Sequence, residues 1–315
     1  MRDILTITMN PAVDITTSTA TVAPTHKVRC GTPQRHPGGG GGGGGVNVAR
    51  VVQRLGGDCC ALFPVGGSSG EVLKRLLDEE RIPSLCVPIA GETRESFSVK
   101  ESSTGSEYRF VLPGPEFDPA EWQACLDLVA SFQPAPRYVV ASGSLPPGVP
   151  PDFYARLATW VQFNGAKLVL DTSGPALAAA LEVGVYLVKP SLRELRELMG
   201  QPLETQAQWR DAAQELISQG KAQVVVLSLG EGGAWLVTPS ETCFAPAVPV
   251  QVVSTIGAGD SFVGGMVWAL GRGLPVRESF RYGVAAASAA LLRVGADLCS
   301  QADVLRLHDQ VILAN

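Results

Sequence analysis

Short apolar runs recur along most of this chain and alternate with stretches of helical spacing. Ile4 to Met9, Cys59 to Pro64, Ser84 to Val87, Arg137 to Ser142, Lys167 to Asp171, Val185 to Val188, Gln223 to Ser228 and Gly233 to Val237 read as strands. Val46 to Leu55, Gly70 to Glu80, Asp118 to Phe132, Pro151 to Phe163, Pro175 to Leu181, Leu192 to Met199 and Thr205 to Gln219 read as helices between them. The C-terminal third adds Ala258 to Leu270, Val276 to Arg293 and Ala302 to Leu313. Parallel neighbours in a sheet need a crossover long enough to hold a helix. The alternation therefore predicts an α/β chain with a doubly wound, mostly parallel sheet. Ligands of such sheets bind outside the carboxyl ends of the strands. The loops after Met9, Ser142, Asp171, Val188 and Ser228 are thus the ones to search.

The rhythm breaks in two places. Ser96 to Lys100 and Glu107 to Val111 are short alternating runs joined by Ser102 to Gly105, a hairpin signature, and Thr25 to Arg35 reads as a further extended strand. These pieces are expected to form a small β appendage on one large domain. A chain of 315 residues, 45% of them hydrophobic, is long enough for that core.

Lys and Arg total 25 against 30 Asp and Glu, a net charge of −5. That balance gives no global attraction to nucleic acid or anionic membrane, although a sugar phosphate needs only a few local cations. No apolar run nears the roughly 18 residues of a membrane helix, and the N-terminal stretch reads as a strand rather than a signal peptide. Seven cysteines, an odd number without any C-x-x-C, argue against a disulfide framework or zinc site, and predict a cytoplasmic protein.

The strongest motif is Ser254-Thr-Ile-Gly-Ala-Gly-Asp-Ser-Phe-Val-Gly-Gly265. Small residues run straight into a helix, whose first N–H groups and positive dipole end make an anion cradle at Gly257, Ala258 and Gly259. Asp260 in the first turn is placed to take a proton from a hydroxyl attacking an anion bound next door. This suits phosphoryl transfer, where the protein positions groups and stabilises charge. An isolated G-x-G-D would be no more than an acidic residue stabilising its own helix by about 0.3–1 kcal/mol; the whole run carries more than that.

No G-x-x-x-x-G-K-[ST] is present, so a P-loop enzyme is excluded. The tract Gly38 to Gly45 matches any glycine pattern and says nothing about dinucleotides. It does feed a helix at Val46-Asn-Val-Ala-Arg50, where the Asn47 amide could meet a polyol. Asp14, in Asn10-Pro-Ala-Val-Asp14, follows the first strand and could equally be a turn residue. Ser142-Gly-Ser-Leu-Pro-Pro-Gly148, Lys189-Pro-Ser191 with Glu194, and the Gly-rich turn Ser228 to Gly233 each follow a strand, the last also reading as a plain hairpin turn. Lys27, Arg94 and Arg109 in the appendage are either solvated charges or a cluster for a substrate phosphate.

Taken together these segments resemble the ribokinase-like (PfkB) sugar kinases. Thr255 to Phe262 resembles that family's C-terminal signature, and the likeness extends through Thr8 to Asp14, the glycine tract with Val46 to Arg50, Tyr108 to Val111 before Pro113-Gly114, Ser142 to Gly148, Val188 to Pro190 and Ser228 to Gly230. The all-glycine loop, without the lysine of a G-G-K-G stretch, is most similar to the ribokinase-type 6-phosphofructokinases within the family. The resemblance implies a Rossmann-like domain over 1–315, with a β lid formed by about 12–37 and 90–113 and homodimers paired through the lids. It implies ATP-dependent phosphorylation of fructose 6-phosphate at the 1-hydroxyl, with magnesium. Asp260 would be the base and Gly257 to Gly259 the anion hole. Asp14, Gly43, Gly44, Gly45, Asn47 and Ser142 would hold the sugar. Arg94 and Lys27 would face its phosphate, with Lys27 also in reach of nucleotide. Lys189, Ser191, Ser228, Gly230 and Gly233 would line the ATP site.

Three departures bear on those expectations. The glycine tract is about four residues longer than the family's loop, which predicts weaker sugar binding through a larger ordering entropy. The family's N-x-x-E motif, linked to magnesium, reads Ser191-Leu-Arg-Glu194, keeping Glu194 as the indirect metal contact. Relatives that bind potassium use backbone oxygens matching Ser254 and Ile256 and a loop around Gly295, whose charge Arg293 and Asp297 alter. Alternatives within the family are a 1-phosphofructokinase or tagatose-6-phosphate kinase, and outside catalysis a regulator that only binds sugar phosphate or nucleotide.

Overall fold

The strands, in chain order, are β1 (Ile4–Ile7), β2 (Ala12–Thr19), β3 (Gln34–Gly38), β4 (Cys59–Val65), β5 (Ser84–Pro88), β6 (Arg94–Glu101), β7 (Glu107–Val111), β8 (Tyr138–Ser142), β9 (Lys167–Asp171), β10 (Val185–Val188), β11 (Ala222–Ser228), β12 (Ala234–Val237) and β13 (Thr242–Ala245). The helices are α1 (Gly44–Arg54), α2 (Gly67–Glu79), α3 (Pro119–Ala130), α4 (Phe153–Phe163), α5 (Gly174–Val183), α6 (Leu192–Met199), α7 (Gln206–Ser218), α8 (Ala258–Gly271), α9 (Val276–Ala290) and α10 (Gln301–His308). This computed structural model describes residues 3–38 and 43–314.

Nine strands form the large sheet in the order β13-β12-β11-β10-β9-β8-β1-β4-β5. Pairing is parallel from β5 through β11, and antiparallel for β11 with β12 and β12 with β13. Strands β1, β4 and β8 are buried along their whole length. That is the physical reason they read as unbroken apolar runs, since helices cover both faces. One face packs Val48, Val51 and Val52 of α1 with Phe262 and Met266 of α8 and Phe280 of α9. The other packs Cys125 of α3, Tyr154 and Leu157 of α4, Leu177 of α5 and Leu216 of α7. Among the described residues no helix is long and apolar enough to cross a membrane.

The chain runs outward from β1 to β4 and β5, then returns to β8 on the other side of β1. The strand order reverses there, which opens a crevice at the carboxyl ends of β1 and β8. Strand β1 leads through Asn10 into the second sheet, four strands ordered β3-β2-β6-β7. The expected hairpin is present: β6 and β7 pair antiparallel from Ser96↔Val111 to Lys100↔Glu107.

Several elements differ from the sequence reading. The extended segment expected over Thr25 to Arg35 forms a strand only at Gln34–Gly38, paired with β2 from Ala12↔Gly38 to Thr16↔Gln34. Pro37 is tolerated because β3 is an edge strand. Strand β2 escaped notice because its run Ile15-Thr-Thr-Ser-Thr19 is β-branched rather than apolar. Strand β13 was also missed, and the last helix stops at His308, with Ala314 pairing back to Phe244. Among the described residues none of the seven cysteines is in a disulfide; Cys30 is exposed, Cys86 intermediate and the others buried.

Candidate active site

The signature run places its acid at the crevice. Gly257 caps α8 in the left-handed region, φ +74°, and a Cβ there would strike the Leu298 side chain. Only glycine makes this turn without strain. Asp260 follows in the first turn of α8, half-buried, beside the positive end of the helix. Its Oδ2 accepts a 2.8 Å hydrogen bond from Nδ2 of Asn47 in α1. A Cβ on Gly44 would collide with Ser142 Oγ and come within 2.9 Å of Asp260 Oδ1. The end of the glycine tract, the end of β8 and the acid of α8 therefore meet at one point. Gly43 and Gly45 flank it, Gly45 against Thr8 and the Ile7 carbonyl. Gly39 to Gly42 lie outside the described residues.

Burial pushes the Asp260 carboxyl above its ordinary range, and the Asp14 charge adds to this; Asn47, Lys189 and Arg109 pull it down without offsetting the rise. Lys189, just after β10, pairs with Asp171 at the end of β9, 3.0 Å between Nζ and Oδ1. Burial alone would lower the Lys189 pKa, but Asp171, Glu194 and Asp260 surround it with negative charge and hold it raised. The Asp171 carboxyl is pushed up to about 6, by burial against the Lys189 charge and with Asp260 and Glu194 adding to the rise. A Cβ on Gly259 would lie 3.7 Å from Lys189 Nζ, so the ammonium stands beside the small-residue turn at the head of α8.

Next to that turn opens a cavity of about 450 Å³. Lys189, Ser228, Gly230, Gly233, Thr255 and Phe262 are among the residues lining it. Gly230 and Gly233 both have positive φ, +62° and +95°, and a Cβ on Gly233 would run into the Ala245 carbonyl. The Gly-rich turn is a 3₁₀ turn between antiparallel β11 and β12, so the hairpin reading and the cavity reading both hold. Ser191 does not line the cavity. It caps α6 reciprocally with Glu194: Ser191 N donates to Glu194 Oε2 at 2.8 Å, and Glu194 N to Ser191 Oγ at 3.3 Å. This gives the serine of the altered N-x-x-E motif a local reason.

The second sheet brings Asp14 and Arg94 near the same crevice. Arg94 is buried; its guanidinium donates to the Asn10 carbonyl at 2.8 and 3.2 Å and to the Leu112 carbonyl at 3.0 Å. Burial lowers its pKa, with the Asp14 charge acting the other way. Arg109 on β7 is exposed and within electrostatic reach of Asp260. Lys27 lies exposed on the connection from β2 to β3, and none of the geometry above includes it. Ser254 is buried, with Oγ shared between the Glu107 carboxylate of β7 and Ile256 N. Lys100 Nζ donates to the adjoining Val253 carbonyl at 3.2 Å.

Three groups of the site were not anticipated. Asp171 ends a strand whose loop was marked for search, yet its pairing with Lys189 joins two strand ends and has no local signature. Arg50 closes the quoted Val46 to Arg50 segment and Glu80 ends α2; the pair is formed only by the fold.

A sheet with a topological switch point, an acid at a helix N-terminus and a lysine-flanked cavity is an arrangement suited to phosphoryl transfer. The crystal structure of phosphofructokinase-2 from Escherichia coli in complex with substrates and products superposes with a TM-score of 0.93 and 39% identity over 99% of both chains. The same E. coli protein has been crystallised with potassium. ATP-dependent 6-phosphofructokinase isozyme 2 of Mycobacterium tuberculosis is 48% identical over 306 residues, 97% of this chain and 89% of that protein. The 1-phosphofructokinase of Bacillus subtilis is 33% identical over 286 residues, 91% of each. The fold is ribokinase-like, with the sheet order and the smaller sheet described above. Residues 7–303 match the pfkB family carbohydrate kinases, and the chain belongs to that family.

Proposed function

We propose that this kinase transfers the γ-phosphoryl group of ATP to the 1-hydroxyl of fructose 6-phosphate, giving fructose 1,6-bisphosphate and ADP. The observation that carries the reading is the Asp260 carboxylate at the head of α8, held by Asn47 between the glycine loop and the Lys189-lined cavity. The attacking hydroxyl gives its proton to Asp260. The anion in transfer is stabilised by the α8 dipole, the Gly257 to Gly259 turn and the Lys189 ammonium. The cavity takes the nucleotide, with Ser228, Gly230 and Gly233 along it and Ser191 acting through its α6 cap. Asp14, Gly43 to Gly45, Asn47 and Ser142 face the sugar; Arg94 belongs to its phosphate side, where the family resemblance alone also puts Lys27. The 48% identity to a relative named as a 6-phosphofructokinase supports this substrate.

Among the described residues no group of three or more His, Cys, Asp or Glu side chains could hold a metal ion. The ATP dependence of the relatives supports magnesium carried on the nucleotide phosphates, with Glu194 as the nearby carboxylate for its water shell. The ion would neutralise charge on the phosphates. We assign potassium to the Ser254 and Ile256 carbonyls and the loop at Gly295, where the Lys100 ammonium on the adjoining Val253 carbonyl competes with it. The smaller sheet acts as a lid. Its outer strand exposes Tyr108, Phe110 and Val111, with Leu112 exposed just beyond it, an apolar edge suited to pairing with a second copy. Reduced cysteines and these substrates suit the cytoplasm.

A coupled ADP-release assay across fructose 6-phosphate, fructose 1-phosphate and tagatose 6-phosphate tests the reading. Fructose 6-phosphate should give the highest kcat/KM; a higher value for either rival overturns the substrate assignment.

A further inference from the structure

Arg50 is the largest fully buried side chain among the described residues. A guanidinium so placed must direct all its N–H groups to acceptors, because unpaired buried charge is strongly disfavoured. Its Nε donates to both Glu80 oxygens, at 3.0 and 2.8 Å, and Nη2 donates to Oε1 at 2.6 Å. Its Nη1 donates to the Pro37 carbonyl at 3.0 Å, the Ala296 carbonyl at 3.1 Å and Asn47 Oδ1 at 3.2 Å. Asn47 and Arg50 are one turn apart on α1, on one face. An asparagine amide can point either end toward a neighbour. Arginine only donates, so the amide oxygen must face Arg50 and the NH₂ must face Asp260.

We infer that Arg50, held by Glu80, is a positioning residue for the transfer: it fixes the Asn47 amide so that Nδ2 occupies Asp260 Oδ2, leaving Oδ1 as the oxygen that takes the proton. Oδ1 is the oxygen that faces Gly44 and Ser142 at the mouth of the glycine loop. Freed from Arg50, the amide can turn its oxygen toward the carboxylate. That replaces an attraction with a repulsion and misdirects the base. The inference rests on the transfer reading above and extends it to a residue that touches neither substrate.

The charged groups around this relay are placed as follows. Asp260 faces Lys189, Asp14 and Arg109 as well as Asn47. The clamp faces His36 of β3, Arg54 of α1 and Asp297. Burial works against the Glu80 carboxylate, and the Arg50 fork more than offsets it, holding its pKa below the usual value.

Two variants of the full chain test the inference. Glu80→Gln keeps the shape but removes the partner charge. Arg50→Met with Glu80→Met removes both charges, so no unpaired ion is left to unfold the protein. In the double variant, which frees the Asn47 amide, kcat should fall by about tenfold to a hundredfold, KM for ATP should stay put, and the acid limb of kcat should move to higher pH, because Asp260 loses a donor to its charged form; Glu80→Gln, which leaves Arg50 on Asn47 Oδ1 but unclamped, should show a smaller change of the same sign. Wild-type kcat and limb in the double variant would overturn the inference, as would parallel losses of kcat and melting temperature with the limb unmoved. ¹³C NMR titration of the Asp260 carboxyl, assigned with Asp260→Asn, reads the same shift without turnover. An unchanged titration there overturns the positioning role, whereas a wild-type protein inert toward all three sugar phosphates overturns the functional reading instead.

Discussion

At the scale of single residues the chemistry gathers on one carboxylate. Replacing Asp260 with Asn preserves shape and the neighbouring hydrogen bond while removing the proton acceptor. The variant should fold and bind ATP, by calorimetry, but lose kcat by about 10²–10⁴-fold; near-normal turnover would remove Asp260 from the reaction. The sign of the pH dependence follows from its surroundings. A base works only when ionised, and burial with Asp14 nearby raises the pH at which Asp260 gains its proton. Activity should therefore fall on the acid side at a pH above the ordinary carboxylate range. Lys189→Met, which deletes a charge favouring the ionised form, should move that limb further up in a kcat–pH profile. Asp260 and the turn before it were legible in the sequence because their meaning is local: a helix start, a small-residue run and an acid in the first turn. Asp171, Arg50 and Glu80 were not, because each acquires its role from a partner that only the fold supplies. Lys27 was legible as a charge, but its exposed position on the β2–β3 connection gives it no partner from which a role could be read.

Among the elements, what sequence pattern found best was the buried parallel strand. The spans of β9, β10 and α6 match the expectation end to end, because short apolar runs bounded by polar or turn residues and a Ser–Glu cap announce their own limits. Elements were lost where pairing rather than composition makes the strand, as for the threonine-rich β2, or where a polar edge hides one, as for β3 and β13. The glycine tract belongs to this scale too. Gly44 and Gly45 are fixed by close packing at the start of α1. Deleting Gly39 to Gly42 should leave the thermal unfolding midpoint nearly unchanged and lower KM for the sugar phosphate, since fewer residues are ordered on binding. An unchanged KM would show that these residues are already ordered, or stand clear of the substrate.

On the scale of the whole molecule, the crevice lies between a broad sheet that carries the nucleotide side and a small sheet that carries Asp14, Arg94 and Arg109. The apolar edge of that small sheet sets a further expectation. Phe110, 56% exposed, should be central to pairing. The proposed pairing predicts that Phe110→Glu lowers the mass in sedimentation velocity from that of two chains to that of one, and an unaltered mass would place the contact elsewhere. The cysteine distribution has a practical consequence for testing the proposed lid. Cys30 lies on the β2–β3 connection of the small sheet and is exposed, whereas the other thiols are buried or, for Cys86, half-covered. A maleimide fluorophore added briefly to the native protein would react there first. The natural chain thus carries its own reporter on the small sheet: emission that changes as each ligand is titrated in would support the proposed lid, and unchanged emission would speak against it.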